Sequence, residues 1–339
     1  SLGEREFVAK KESSSNLDEG KYCLFFVEKD LEDNSSELHS DIFEFCDSMI
    51  KDIAAEFVPE CVPDESGINN DIDNRCDVDD NDAYVILYYD FKEDPEVAGY
   101  VSSNDLFDNP QNDIVVHKDI IYMNRQKFLK DDNVNEDDRL RLNKQTLAHE
   151  YHHLLSYHKT QRFNGHRYFD TWIEEGLAEA AAHKMTDNDG NDYQTHRIEK
   201  FSDDDFRDGS AALIGWGTDF SDLEYSYVYL FFQYLKIHSS SLIFKKIHNQ
   251  FDTNYKAIES VLLAENSCFV DFQDILASFH IATYLNLKHS GECSDKYGFK
   301  SDLIGEAIMK KRETVVDNTN KLVAPGSAVI VHSPLNYDA

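Results

Sequence analysis

Two histidines four residues apart, in a segment with the periodicity of a helix, constrain this chain more than any other feature. His149 and His153 would project from one face of that helix, so their imidazoles can share a metal ion. Glu150 would lie about 100° around the helix from His149, where its carboxylate can take a proton from a zinc-bound water. Leucines on the flanks would keep this site dry: Leu147, Leu154 and Leu155.

A second predicted helix carries carboxylates that could complete the site, because a catalytic zinc takes three protein ligands and a water. Asp170 is a typical N-cap, and Glu174, Glu175 and Glu179 follow it. The 21 residues between His153 and Glu175, numbers 154–174, allow a loop and an antiparallel return. The other interpretation of these glutamates is a solvated first turn, which the helix dipole favours by itself.

The charge balance limits the partners of this chain. Its 339 residues include 33 basic and 65 acidic side chains, which give a net charge of −32. Nucleic acids and anionic lipids both require a basic protein surface, so neither is an expected partner. No run of 18 apolar residues occurs, and we therefore expect no membrane span.

The six cysteines indicate disulfides rather than a thiolate metal site, since none belongs to a C-x-x-C pair. Cys268 and Cys293 flank a predicted helix and should pair with each other. The four in the first 80 residues should pair among themselves: Cys23, Cys46, Cys61 and Cys76. Reduced, buried cysteines are the alternative.

The start of the chain is typical of a processed or a recombinant protein. It reads Ser1-Leu2-Gly3, with neither a methionine nor an apolar signal segment. Together with the cysteines, this start favours a protein that is secreted or displayed at a cell surface after a signal has been removed.

Hydrophobic periodicity predicts strands and helices in the first half of the chain and mainly helices in the second. Strands are expected at 22–28, 84–91 and 113–124, and helices at 36–57 and 136–158. Further helices are expected at 170–185, 195–201, 223–238, 241–251, 254–264 and 269–287, and a last strand at 321–332. This order predicts an α+β fold rather than a regular βαβ alternation.

The same pattern divides the chain into four segments. Residues 1–20 are polar, and we expect them to be loosely held. An N-terminal subdomain with the sheet and the histidine-bearing helix follows at 21–158. A helical C-terminal subdomain with the third ligand occupies 159–312, and a short β segment occupies 313–339.

Two acidic turns contain part of a calcium-binding pattern, at 71–81 and at 187–192. An EF-hand loop that begins at Asp77 needs glycine at its sixth position and glutamate at its twelfth. The chain has Asp82 and Tyr88 there, so the motif fails. Ca²⁺ is therefore only a second candidate cofactor, and a solvated loop is the favoured interpretation of both turns.

The H-E-x-x-H pattern, followed by W-I-E-E-G-L-A at 172–178, resembles the gluzincins, zinc peptidases whose third ligand is a glutamate on a second helix. Within them the chain is most similar to the hyicolysin family of secreted bacterial neutral zinc peptidases, over roughly residues 20–335. The matching segments are Val97–Tyr100, Asp119–Asn124, Thr146–Leu154, Asp170–Glu179, Tyr225–Leu235 and Phe279–Ala282.

This resemblance implies a zincin-like fold and a zinc site formed by His149, His153 and Glu175, with Glu150 as general base. The family usually has asparagine immediately before the third ligand, where this chain has Glu174, so the choice between the two glutamates stays open. Glu175 is preferred because Gly176 follows it, as in the family pattern.

The resemblance also implies two supporting residues. Related gluzincins place a carboxylate four residues after the third ligand to orient the first histidine, and Glu179 occupies that position. Tyr225 stands where related sequences have a tyrosine, and it is our candidate donor to the oxyanion of the tetrahedral intermediate. An ordinary surface acid and a packing tyrosine are the respective alternatives.

The function implied is a zinc-dependent neutral endopeptidase that hydrolyses peptide bonds of a peptide or protein substrate with a zinc-bound water activated by Glu150. A catalytically silent, zinc-stabilised surface or adhesion protein on the same scaffold is one alternative, and the presence of Glu150 argues against it. An aminopeptidase is the other, and the absence of a G-x-M-E-N stretch argues against that. The sequence leaves the oligomeric state open.

Overall fold

The computed structural model describes residues 7–10, 22–29, 40–63, 76, 83–106, 118–130, 134–163, 168–186, 192–201, 212–216, 222–285 and 293–299. They belong to two compact units. The first contains the described parts of Ser1–Arg167 and Ala181–Asn188, and the second contains those of Tyr168–Ala180 and Asp189–Ala339. The first unit contains a sheet and helices, and the described part of the second unit contains helices. This composition confirms the predicted α+β class.

A five-stranded mixed sheet forms the centre of the first unit. Its strands are β1 (Phe7–Lys10), β2 (Cys23–Glu28), β3 (Tyr84–Tyr89), β4 (Gly99–Val101) and β5 (Ile120–Asn124). Their order across the sheet is β1-β2-β3-β5-β4. Strands β2, β3 and β5 run parallel, whereas β1 and β4 run antiparallel to their neighbours at the two ends.

Three helices accompany the sheet: α1 (Asp41–Phe57), the short α2 (Ser103–Leu106) and the long α3 (Glu136–Phe163). One turn of π-helix, Gln126–Lys130, follows β5. Helix α3 begins after Asn135, whose side-chain oxygen accepts a hydrogen bond from the backbone N–H of Asp138 at 2.9 Å. Helix α1 is amphipathic, and its buried residues recur at three-to-four spacing: Ile42, Phe43, Phe45, Cys46, Met49, Ile50, Ile53, Ala54 and Phe57.

The second unit is helical in its described part. Helix α4 (Thr171–Thr186) belongs to it as far as Ala180. The other helices are α5 (Asp192–Phe201), α6 (Asp222–Ile237), α7 (Ile243–His248), α8 (Tyr255–Glu265) and α9 (Phe272–Leu285). Helix α6 is the centre of the core, because its ten residues from 226 to 235 are all buried. Aromatic rings pack around it, with Phe231 edge-on to Phe279 at 5.2 Å between centroids. A helix that is apolar on every side is stable only when other elements surround it.

Three disulfides confirm the predicted pairing. They join Cys23 to Cys46, Cys61 to Cys76 and Cys268 to Cys293, and they account for all the cysteines. Three disulfides in one chain are typical of proteins that mature in an oxidising compartment, outside the cytosol. Within the part of the chain that the structure describes, no helix combines the length and apolar character needed to cross a bilayer.

Two strands differ from the sequence prediction. The expectation of a loose segment at 1–20 is wrong for Phe7–Lys10, which pairs with β2 as β1. Strand β4 was not predicted, because its three residues are too few to show an alternating pattern. Several predicted features lie outside the described residues: the first part of the strand at 113–124, both acidic turns apart from Cys76 and Asp192, and the β segment at 321–332.

Candidate metal centre

The two histidines of the H-E-x-x-H pattern lie side by side on α3. Their Nε2 atoms are 3.1 Å apart and their ring centroids 4.8 Å apart. Zinc–nitrogen bonds of about 2.0–2.1 Å at a tetrahedral angle separate two ligand atoms by roughly 3.3 Å. The pair His149 and His153 therefore already has the separation that one shared ion requires.

Glu175 on α4 joins this pair in a group that could hold a metal ion. A carboxylate oxygen of Glu175 and one nitrogen of each of His149 and His153 all lie within 4.8 Å of one another. Ligand atoms around one zinc are roughly 3.3–3.5 Å apart, so an adjustment of at most roughly 1.5 Å would bring the carboxylate to bonding distance. The structure thus brings together the three residues that were predicted as ligands.

A second group of the same kind shares His153. It consists of His152, His153 and Glu174, again with ligand atoms within 4.8 Å of one another. The alternative ligand Glu174 therefore stays geometrically available. The His152 ring is fully buried and lies edge-on to Phe57 at 5.0 Å between centroids. His152 is thus a buried residue that packs against α1.

Glu150, the candidate general base, is 7% exposed on α3. Strand β4 approaches α3 closely beside it. A Cβ atom added at Gly99 would lie 2.9 Å from Cγ2 of Thr146 and 3.1 Å from Cγ of Glu150. Only glycine fits at this position without displacing the helix or the strand. Gly99 lies in the segment Val97–Tyr100, and its role in the close approach of β4 to α3 is visible only in the structure.

Gly176 lets α6 approach the turn of α4 that carries Glu175. A Cβ atom at Gly176 would lie 2.3 Å from Cε2 and 2.4 Å from Cδ2 of Phe232, far inside van der Waals contact. The Phe232 ring has little freedom to move, because it is fully buried and stacks on Phe244 at 6.2 Å between centroids. Gly176 is therefore a packing requirement of the second unit.

Glu179, one turn after Glu175, is only 1% exposed. Its Oε1 accepts a hydrogen bond from Nη2 of Arg197 on α5 at 2.7 Å. A buried carboxylate paired with a guanidinium is not an ordinary surface acid, which was the alternative interpretation of Glu179. Its expected contact with His149 stays a prediction.

Arg197 also influences its neighbour on α5. The pKa of His196 is lowered, first by burial and then by the positive charge of Arg197. No spacing or motif singles out Arg197 in the sequence. Its importance depends on long-range packing, which single-sequence patterns do not contain.

Tyr225, the candidate oxyanion donor, is half-buried in the first turn of α6. Its ring lies edge-on to Trp216 at 5.4 Å between centroids, and Cζ of Arg197 is 5.5 Å from its centroid. Tyr227 and Tyr229 are fully buried, and the Tyr227 hydroxyl is 3.4 Å from the ring nitrogens of His280. Tyr225 is therefore the most accessible of the three tyrosines, and its role stays a prediction.

Another buried histidine belongs to a different arrangement. His158 Nε2 is 2.7 Å from Oδ1 of Asp119, and both side chains are almost completely buried. This pair ties the later part of α3 to the residue before β5, so its contribution is to the fold of the first unit.

The fold and the site define an α+β protein with three disulfides and a buried His/Glu group that could hold a metal ion. Comparison with known protein families gives no match, and no curated protein sequence matches the chain.

Proposed function

We propose that the chain is a secreted zinc-dependent endopeptidase of the gluzincin type, similar to the hyicolysin family and built on a zincin-like fold. The observation that carries this proposal is the grouping of His149, His153 and Glu175 within 4.8 Å, with the carboxylate of Glu150 beside the first histidine in the chain. The three disulfides support secretion.

The ligand set suits catalytic zinc. His149, His153 and Glu175 would hold the ion, and two imidazoles with one carboxylate leave a coordination position open for water or substrate. When bound, zinc lowers the pKa of a coordinated water and polarises the carbonyl of the scissile bond. Glu174 is the weaker candidate for third ligand, because the group that contains it relies on His152, which is packed against Phe57.

Three side chains would carry out the remaining chemistry. Glu150 accepts a proton from the attacking water and returns it to the leaving nitrogen as the peptide bond breaks. The hydroxyl of Tyr225 donates a hydrogen bond to the oxyanion of the tetrahedral intermediate. Glu179 orients His149, since a carboxylate has enough acceptor capacity for that imidazole N–H as well as for Arg197.

The position of β4 favours an extended peptide as substrate. Among the described strands β4 pairs only with β5, so it lies at an end of the sheet. An extended peptide can add to such an edge through backbone hydrogen bonds. Gly99 places this edge beside Glu150, so the bound peptide would pass close to the general base. Binding through the backbone does not require a free N-terminus, which favours endopeptidase activity.

The test combines metal analysis with cleavage of an internally quenched peptide that is blocked at both ends. We expect one zinc per chain and cleavage that stops when a chelator removes the metal. Glu150→Gln should keep the zinc and lower the turnover number by about 10²–10⁴-fold, because an amide cannot accept the proton.

Cleavage of unblocked peptides alone would indicate an aminopeptidase. Zinc without any cleavage would indicate the silent scaffold protein, and near-normal activity of Glu150→Gln would show that the base is another residue.

A further inference from the structure

Arg197 connects two residues of the second unit that the proposed function uses. Its Nη2 donates to Oε1 of Glu179 at 2.7 Å, and its Cζ lies 5.5 Å from the ring centroid of Tyr225. Its Nη1 lies 4.0 Å from Oδ1 of Asp222, the first residue of α6. One side chain of α5 thus contacts both α4 and α6.

We propose that Arg197 is a positioning residue that fixes the turn of α4 bearing Glu175 and the ring of Tyr225 relative to each other. This inference rests on the proposed function, because it gives Arg197 a role only if Glu175 binds the metal and Tyr225 acts in hydrolysis. Arg197 itself touches neither the metal nor the substrate in this scheme.

The contact with Glu179 restrains the metal ligand. Glu179 is four residues after Glu175, so the two side chains lie one turn apart on the same face of α4. A carboxylate that is 1% exposed needs a charged partner, since burial without one is costly. While Arg197 supplies that partner, the α4 turn is held in one position. Residues that hold ligands in this way are typically worth about 10–100-fold in metal affinity.

The contact with Tyr225 restrains the candidate donor. The ring contacts both the guanidinium of Arg197 and the ring of Trp216. Trp216 is itself fixed, because its indole N–H donates to the backbone oxygen of Ala212 at 2.9 Å. A half-buried tyrosine that packs against two other side chains can adopt few rotamers. Its hydroxyl is therefore preorganised for a developing charge.

Arginine is required for both contacts at once. Its planar guanidinium can bind a carboxylate through its N–H groups while its flat face lies against an aromatic ring. Lysine keeps the positive charge, but its compact ammonium group cannot present a planar face to Tyr225 while it pairs with Glu179. Arg197→Lys should therefore preserve the pairing with Glu179 better than the arrangement of Tyr225.

The experiment compares Arg197→Met and Arg197→Lys with Lys200→Met, a control that removes one positive charge from the same helix. The readouts are zinc affinity, measured by competition with a chelator, and separate kcat and KM values for a blocked peptide. For Arg197→Met we expect zinc affinity to fall by about 10–100-fold. At saturating zinc, kcat should fall by about 10²-fold with KM little changed, because the substrate still binds but Tyr225 is no longer aligned with it. Millimolar guanidinium should restore part of this kcat.

The other variants complete the test. For Arg197→Lys, the fold loss in zinc affinity should be smaller than the fold loss in kcat. Lys200→Met should behave like the wild type. If Arg197→Met does not fold, the double variant Glu179→Gln/Arg197→Met removes both charges and should show the same losses. Wild-type zinc affinity and kcat in whichever of these variants folds would overturn the inference. A variant that is less stable, and whose kcat guanidinium does not restore, would also overturn it. A wild-type protein without zinc or without cleavage would instead refute the proposed function itself.

Discussion

At the scale of single residues, Gly176 follows Glu175, the proposed third ligand, and lies against the Phe232 ring. We predict that Gly176→Ala will destabilise the second unit by about 1–3 kcal/mol, the usual cost of an extra methyl group in a full core. The new Cβ atom would lie 2.3 Å from the Phe232 ring, so α4 or α6 must move. Because Glu175 is the adjacent residue, the zinc affinity should fall as well. Urea unfolding and chelator competition measure the two effects.

A second substitution separates packing from other causes. Phe232→Leu removes the ring atoms that the new methyl group would meet. The double variant Gly176→Ala/Phe232→Leu should therefore be destabilised by less than the sum of the two single variants. Additive losses of stability would mean that Gly176 matters for another reason, such as its backbone conformation.

The site residues divide according to the kind of information that identifies them. His149, Glu150 and His153 are local, since a spacing of four residues on one helix already places both imidazoles on one face. The assignment of Glu175 as a ligand also required the resemblance to the gluzincins. The spacing of two helices along the sequence does not determine how they pack against each other. Arg197 could not be found at all, since its contacts with α4 and α6 arise only when three helices pack together.

At the scale of elements, long amphipathic or apolar segments were predictable and short strands were not. Helix α1 and strand β3 show strong periodicity or a continuous apolar run, and both were predicted within a few residues of their observed ends. Strands β1 and β4 have four and three residues, too few for a repeating pattern. Their conformation depends on pairing with β2 and β5, so it is a property of the sheet rather than of their own residues.

The end of α8 carries a carboxylate that ties it to the residues before α7. Oε2 of Glu265 accepts a hydrogen bond from the backbone N–H of Ser240 at 2.7 Å, and Oε1 accepts from the Ser240 hydroxyl at 2.8 Å and from Lys246. Burial alone would raise the pKa of Glu265, but these hydrogen bonds outweigh it, and the pKa is lowered.

This lowered pKa predicts a pH-dependent effect of one substitution. A carboxyl group whose pKa is lower in the folded state stabilises the fold above its unfolded pKa of about 4.3, and this stability is lost as the pH falls through the folded value. Glu265→Gln should therefore destabilise the protein by about 1–3 kcal/mol at neutral pH, the usual loss for hydrogen bonds to a charged group. The difference should shrink below about pH 4. Thermal unfolding of both proteins across this range measures it, and a difference independent of pH would contradict the assigned charge.

At the scale of the whole molecule, the disulfides and the net charge act in opposite directions. Each disulfide closes a loop, with separations of 23, 15 and 25 residues, and cross-links of this size stabilise a fold by about 3 kcal/mol in the chain-entropy description. The net charge of −32 produces repulsion that the compact state experiences more strongly than the unfolded chain. Cation binding and salt should therefore both favour the folded state.

The charge gives a prediction that is independent of the metal site. In protein saturated with zinc, the melting temperature should rise as NaCl increases from about 0.01 M to about 0.15 M, since the screening length falls from about 30 Å to about 8 Å. With an unfolding entropy of about 2.1 cal/mol/K per residue, each kcal/mol recovered is worth about 1.4 °C in a chain of 339 residues, so a rise of a few degrees is expected. Near pH 4.6, the sequence isoelectric point, the same salt step should have much less effect. Sucrose of matched osmolality controls for general exclusion of solutes. A melting temperature that does not change with salt at neutral pH would show that local ion pairs, such as that of Glu179 with Arg197, already offset the repulsion.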